Sequence, residues 1–230
     1  MFMIKSLIKR IFHLRYNFII VIIIVANIEV HAQDQKFVKY VQPFSGTSAS
    51  TTLASQHIED KTECLANTIP AVAPPFAMTQ WTPQTQLSET KCLAPYYYNN
   101  NKIYGFRASH WISGSCTQDY GSFTIMPISG KLKTRPADYS EDYTHEGEIA
   151  RPDYYKVIFP NYQLQTELTS TLRCGAMRIT ALKADSVYVL ITPNSDQGKG
   201  FIKIDKEKGE IYGYNPVHRI YQGWGKPAGF

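Results

Sequence analysis

The 230 residues include only 4 cysteines. None forms a C-x-x-C pair and no paired histidines accompany them, which excludes the common zinc motifs. Beyond residue 33 no stretch keeps a helical apolar period for three or four turns, so a helical bundle is excluded too. There is no internal repeat, no P-loop and no dinucleotide fingerprint, and the 14 glycines are scattered at turns. Charged residues make up only 19% of the chain and form no basic stripe. Nucleic acid is therefore not an expected partner.

What is present starts with an export signal. Lys5, Lys9, Arg10 and Arg15 precede a nearly unbroken apolar run over residues 18–26, and Val30, His31 and Ala32 place small residues at a cleavage site. The run falls well short of the roughly 20 apolar residues a spanning helix needs. Residues 1–32 are expected to form a signal helix that is removed, with an uncleaved anchor as the alternative. Residues 33–230 then form one exported domain, periplasmic or secreted, that meets a membrane only through the signal. Losing four Lys/Arg and one Glu lowers the formal net charge from +5 to +2, so the pI of about 8.9 owes much to the leader. In an oxidising setting Cys64, Cys92, Cys116 and Cys174 permit three full disulfide pairings.

With 43% apolar and 13% aromatic residues, the remainder can bury a sizeable core. Alternation over residues 36–41 predicts a first strand, and residues 76–81 a second after a proline-rich lead-in through Pro70, Pro74 and Pro75. Residues 92–101, CLAPYYYNNN, read as a strand tip with a turn at Asn99 to Asn101, or alternatively as a sugar-stacking platform. The charged run DYSEDYTHEGEIARPDYY reads as a solvated loop. Strands follow over 154–159, 164–172, 176–182, 187–191, 201–205 and 210–214, separated by turn residues. The fold class is all-β, an antiparallel β-sandwich, incomplete as the chain stands.

Residues 104–130, YGFRASHWISGSCTQDYGSFTIMPISG, organise the rest. They read as a strand, a polar loop, then an apolar strand over 122–128, which places His110, Trp111, Ser113, Cys116 and Asp119 at the mouth of a sheet. Ser113, His110 and Asp119 could formally make a triad, yet no nucleophile elbow surrounds Ser113. Asp119 is the best-placed acid. No convincing second acid stands with it for the two-carboxyl chemistry of glycoside hydrolysis. Trp81, Trp111 and Trp224 offer flat faces suited to a sugar ring or to a core, with Trp81 the least core-like.

The wording of this loop resembles glycoside hydrolase family 92, the calcium-dependent exo-acting α-mannosidases. Two earlier stretches, YVQPFSG over 40–46 and NTIPAVAPPFAMTQWTP over 67–83, resemble the same family in the same order. The resemblance implies a galactose-mutarotase-like supersandwich that packs on a following (α/α)6 barrel, here cut off before that barrel. It also implies that the sandwich forms part of the sugar pocket, while the barrel supplies acid, base and most calcium ligands. By that reading Phe44, Tyr104, Arg107, His110, Ser113 and Asp119, with Trp81, bind and orient an α-mannoside. No residue of this chain is catalytic or a metal ligand, and it is inactive alone. The competing reading is a stand-alone exported carbohydrate-binding or partner-binding sandwich. A sheet built to cover a partner would leave an apolar face exposed, so self-association is expected.

Overall fold

A computed structural model describes residues 37–54, 68–86, 94–109, 123–193 and 200–214. The proposed signal, residues 1–32, lies outside them. The chain divides into two units, Met1–Lys39 and Tyr40–Phe230, and the sheets all belong to the second. Where alternation predicts a strand over 36–41 there is a 3₁₀ turn, Val38–Tyr40. Phe37, Tyr40 and Val41 stay exposed, and alternation without a partner strand does not make a ladder.

Two four-stranded antiparallel sheets carry the fold. One has the order β1-β3-β4-β10, from Gln80–Gln84, Gly105–Ser109, Phe123–Ser129 and Val187–Pro193. The other has the order β6-β7-β8-β9, from Ile149–Arg151, Tyr154–Phe159, Leu164–Ser170 and Gly175–Ala181. Two short ribbons flank them: β2, Lys102–Ile103, with β5, Glu141–Asp142; and β11, Phe201–Asp205, with β12, Glu210–Tyr214.

Period-two alternation explains the second sheet. In β7 the residues Tyr155, Val157 and Phe159 are buried, and in β8 Leu164, Thr166 and Leu168. Alternate residues of a strand point to one face. Those side chains meet Phe106, Met126 and Ile128 of the first sheet in one core. Phe106 lies edge-on to Tyr155, with ring centroids 6.1 Å apart. Each such fully buried side chain contributes about 1.5–3 kcal/mol, and together they hold the two sheets as a sandwich.

The strand expected over 76–81 begins only at Gln80, because a turn occupies residues 74–77. The charged run expected to be solvated is instead built into the fold, and Glu141 and Glu148 are buried within it. Glu141 Oε1 accepts the backbone N–H groups of Asn161, at 2.7 Å, and Tyr162, at 3.3 Å. It thereby satisfies the turn between β7 and β8, although burial raises its pKa. Cys174 is exposed and carries a free thiol; Cys64, Cys92 and Cys116 lie outside the described residues.

Candidate functional site

A constellation of mutually bonded, chemistry-bearing side chains surrounds Glu148. The turn at residues 44–47 starts it: the Thr47 hydroxyl donates to the Phe44 carbonyl at 2.7 Å, and the Thr47 carbonyl accepts the Tyr98 N–H at 2.8 Å. Thr85 holds the neighbouring tyrosine, its Oγ1 accepting the Tyr97 N–H at 2.8 Å. The tyrosine tract is thus pinned between the Phe44 turn and the end of β1. A 3₁₀ turn, His145–Gly147, delivers His145 and then Glu148 to the same place.

The Glu148 side chain is wholly shielded from solvent. Its carboxylate accepts from Tyr155 Oη at 2.5 Å and from Tyr96 Oη at 3.1 and 3.2 Å, and it lies 2.6 Å from His145 Nδ1. Burial pushes the Glu148 carboxyl above its usual range, while the bonds from Tyr155, His145 and Tyr96 pull the other way. Burial likewise raises Tyr155, Tyr96 and Tyr143. A carboxylate so enclosed exchanges no proton with a ligand. It acts as a brace.

What the brace holds is a half-exposed aromatic shelf. The His145 ring stacks on Tyr98 at 3.8 Å with 3° between planes, and its Nε2 lies 2.9 Å from the Tyr98 carbonyl. Phe44 meets Tyr98 edge-on at 5.5 Å and His145 at 6.2 Å. The His145 side chain keeps 35% of its surface exposed. Flat faces and a fixed imidazole are the elements a sugar-contacting surface uses. Among the described residues no group of three or more His, Cys, Asp or Glu could hold a metal ion.

A second polar feature crosses the first sheet. Thr82, Arg107 and Thr124 pair across β1, β3 and β4, and Thr192 continues the row on β10. Cross-strand partners share a face. Arg107 is 1% exposed, and the Thr124 hydroxyl donates to Gln84 Oε1 at 2.7 Å. Gly105, at φ 143°, allows the crowding: a Cβ there would sit 2.3 Å from Thr124 Cγ2. Trp81, on the other face of β1, is half-buried. It packs edge-on to Phe123 at 6.2 Å and lies directly over Gly175, where a Cβ would come 1.9 Å from Trp81 Nε1.

The described residues among those singled out from the sequence therefore separate into two places. Phe44 belongs to the aromatic shelf, at the Thr85 end of β1. Trp81 sits at the Gln80 end, beside Ser109 and Phe123, the residues that flank the signature loop. The five residues of β1 put roughly 13 Å between those ends. Arg107 lies between, and Tyr104 is half-buried with its N–H on the Gln84 carbonyl at 2.8 Å. His110, Ser113 and Asp119 lie outside the described residues, as do Trp111 and Trp224. Tyr98 falls in the tract that reads as a turn or a sugar-stacking platform, and His145, Glu148 and Tyr155 fall in the run that reads as a solvated loop, which the structure overturns. The available signal was His145 and Glu148 three residues apart, followed at once by the alternating apolar strand that buries Tyr155.

A model of the glycosyl hydrolase family 92 N-terminal domain matches residues 40–229. Among solved structures, the family GH92 inverting mannosidase BT2199 from Bacteroides thetaiotaomicron VPI-5482 is 32% identical with a TM-score of 0.62, over 78% of this chain and 22% of that one. The family GH92 alpha-mannosidase BT3965 from Bacteroides thetaiotaomicron is 28% identical with a TM-score of 0.54, over 67% of this chain and 20% of that one. The GH92 family glycosyl hydrolase ccman5, 18% identical with a TM-score of 0.57 over 79% of this chain and 24% of that one, shares the fold. The chain thus spans about a fifth of the length of these proteins. No curated protein sequence matches it.

Proposed function

The chain belongs to glycoside hydrolase family 92 through that family's N-terminal domain, and we propose on this footing that it forms the sugar-facing β-sandwich of an exo-acting, inverting α-mannosidase. The observation that carries the reading is the match over residues 40–229, joined to 32% identity with an inverting mannosidase of which the chain covers 22%. Inverting hydrolysis needs an acid and a base about 6.5–9.5 Å apart on opposite sides of the sugar. The buried acids among the described residues are already committed: Glu141 to backbone N–H groups, Glu148 to two tyrosines and a histidine, and Glu167 to Arg178 and Tyr154. As the resemblance implies, acid and base are assigned to a further domain, and this chain's work is to bind and orient.

His110, Ser113 and Asp119 of the signature loop, with Trp81 at the same end of β1, face the α-mannoside in this reading; Arg107 braces the sheet beneath, and Phe44 and Tyr104, toward the other end of β1, support the domain there. Calcium and most of its ligands are assigned, as the resemblance implies, to the further domain. The signal over residues 1–32 carries the protein to the periplasm or beyond.

The test is a graft. Residues 40–229 replace the matched segment of the mannosidase BT2199, and hydrolysis of an α-linked mannobiose is measured with calcium present. We expect turnover by the graft and none by this chain alone. Turnover by the chain alone, or a folded graft without activity, overturns the reading.

A further inference from the structure

The loop ahead of β1 holds a side chain that the sandwich itself does not use. The Ala77 N–H donates to the Pro74 carbonyl at 3.0 Å, closing a turn with Pro75 and Phe76 at its centre, and Phe76 has φ 62°. Proline followed by a positive φ is the type II turn, whose third position favours Gly or Asn because a Cβ there crowds the backbone. Here that position carries phenylalanine, and its ring is 99% exposed. The strain and the unburied ring both oppose folding of this domain on its own.

The turn is also held fast. On one side the Ala73 N–H donates to the Pro152 carbonyl at 2.8 Å, and on the other the Met78 N–H donates to the Leu172 carbonyl at 2.8 Å. Met78 and Leu172 are themselves more than half exposed, so the ring stands beside further apolar surface. Strain persists where surroundings over-determine it, and such positions cluster at sites of function. The exposed apolar residues of β11 and β12 differ, since they sit on regular strands without a left-handed backbone.

We propose that Phe76, with Met78 and Leu172 beside it, is the anchor through which this domain docks on the further domain, its ring entering an apolar pocket there. The occupant is chosen by length: the matched segment is about a fifth of each related chain, so in those chains a large body lies outside it, and a body of that kind is the occupant proposed for the apolar projection. The proposal rests on the reading given above under Proposed function. A rigid, pre-shaped aromatic projection loses little freedom when it is buried, which suits it to anchoring.

The experiment compares Phe76→Asn in two settings, this chain alone and the graft into BT2199. Asparagine accepts the left-handed backbone and removes the ring. Alone, the variant is expected to unfold at the same temperature or up to about 4 °C higher. In the graft it is expected to lower the midpoint by about 3 °C or more and to reduce turnover, while Phe76→Tyr, which keeps the ring, restores both.

A fall in the midpoint of the isolated variant would place the ring inside the domain and overturn the anchor. A coupled, active graft that ignores Phe76→Asn overturns the anchor and leaves the functional reading standing. A wild-type graft whose sandwich melts like the isolated chain, without turnover, sinks both. A dimer of the isolated chain that Phe76→Asn dissociates assigns the ring to a second copy and likewise overturns the proposal.

Discussion

Glu148 is the acid on which the aromatic shelf rests, and its worth can be read by deletion. Three donors converge on a carboxylate shut off from water, so removing the acceptor leaves two buried tyrosine hydroxyls and an imidazole without their partner. Glu148→Ala is expected to cost about 3–5 kcal/mol, as breaking a buried charge-assisted network does. Tyr155→Phe, which takes away one donor and little volume, should cost about 1–2 kcal/mol. Urea unfolding of both variants checks the order, and a loss of under about 1 kcal/mol for Glu148→Ala would contradict the bracing role. The sequence alone did not disclose this, because a carboxylate between a glycine and an isoleucine in a charged run has the same letters whether it is solvated or enclosed. Which one it is depends on tyrosines that arrive from 52 positions before and 7 after.

At the level of strands, much was legible. Alternation gave 154–159, 201–205 and 210–214 as they stand in the fold, and the strands over 164–170, 175–181 and 187–193 to within two residues at either end. The early segments were harder: residues 36–41 alternate but carry the 3₁₀ turn Val38–Tyr40, and the strand foreseen over 76–81 is delayed by the turn that ends at Ala77. The place where β1 meets β9 was not legible at all. Gly175 lies under the Trp81 indole so closely that any side chain must displace it. Gly175→Ala is therefore expected to destabilise by about 1–3 kcal/mol through overpacking. A thermal unfolding curve checks it, and an unchanged midpoint would show that the indole can move aside.

At the scale of the molecule, the β11–β12 ribbon carries exposed apolar side chains. Ile204 and Ile211 pair directly across the β11–β12 ribbon on one face yet are 63% and 52% exposed, and Phe201, Tyr212 and Tyr214 are exposed on its other face. Apolar surface gathered on a short ribbon favours contact between molecules. Sedimentation velocity of the isolated chain is expected to show concentration-dependent association that Ile204→Lys with Ile211→Lys reduces several-fold. Monomeric behaviour at all concentrations would show that the ribbon is inert. The knot around Glu148 has another consequence, one that concerns time. Phe44, Tyr98, Glu148 and Tyr155 close it only when all are present, so a chain emerging N-terminus first cannot settle its early segments until residue 155 is out. Contacts that wait on distant residues form slowly. Until residue 155 has emerged, Phe44 and Tyr98 have no finished site to pack into, and their apolar faces stay open to wrong partners.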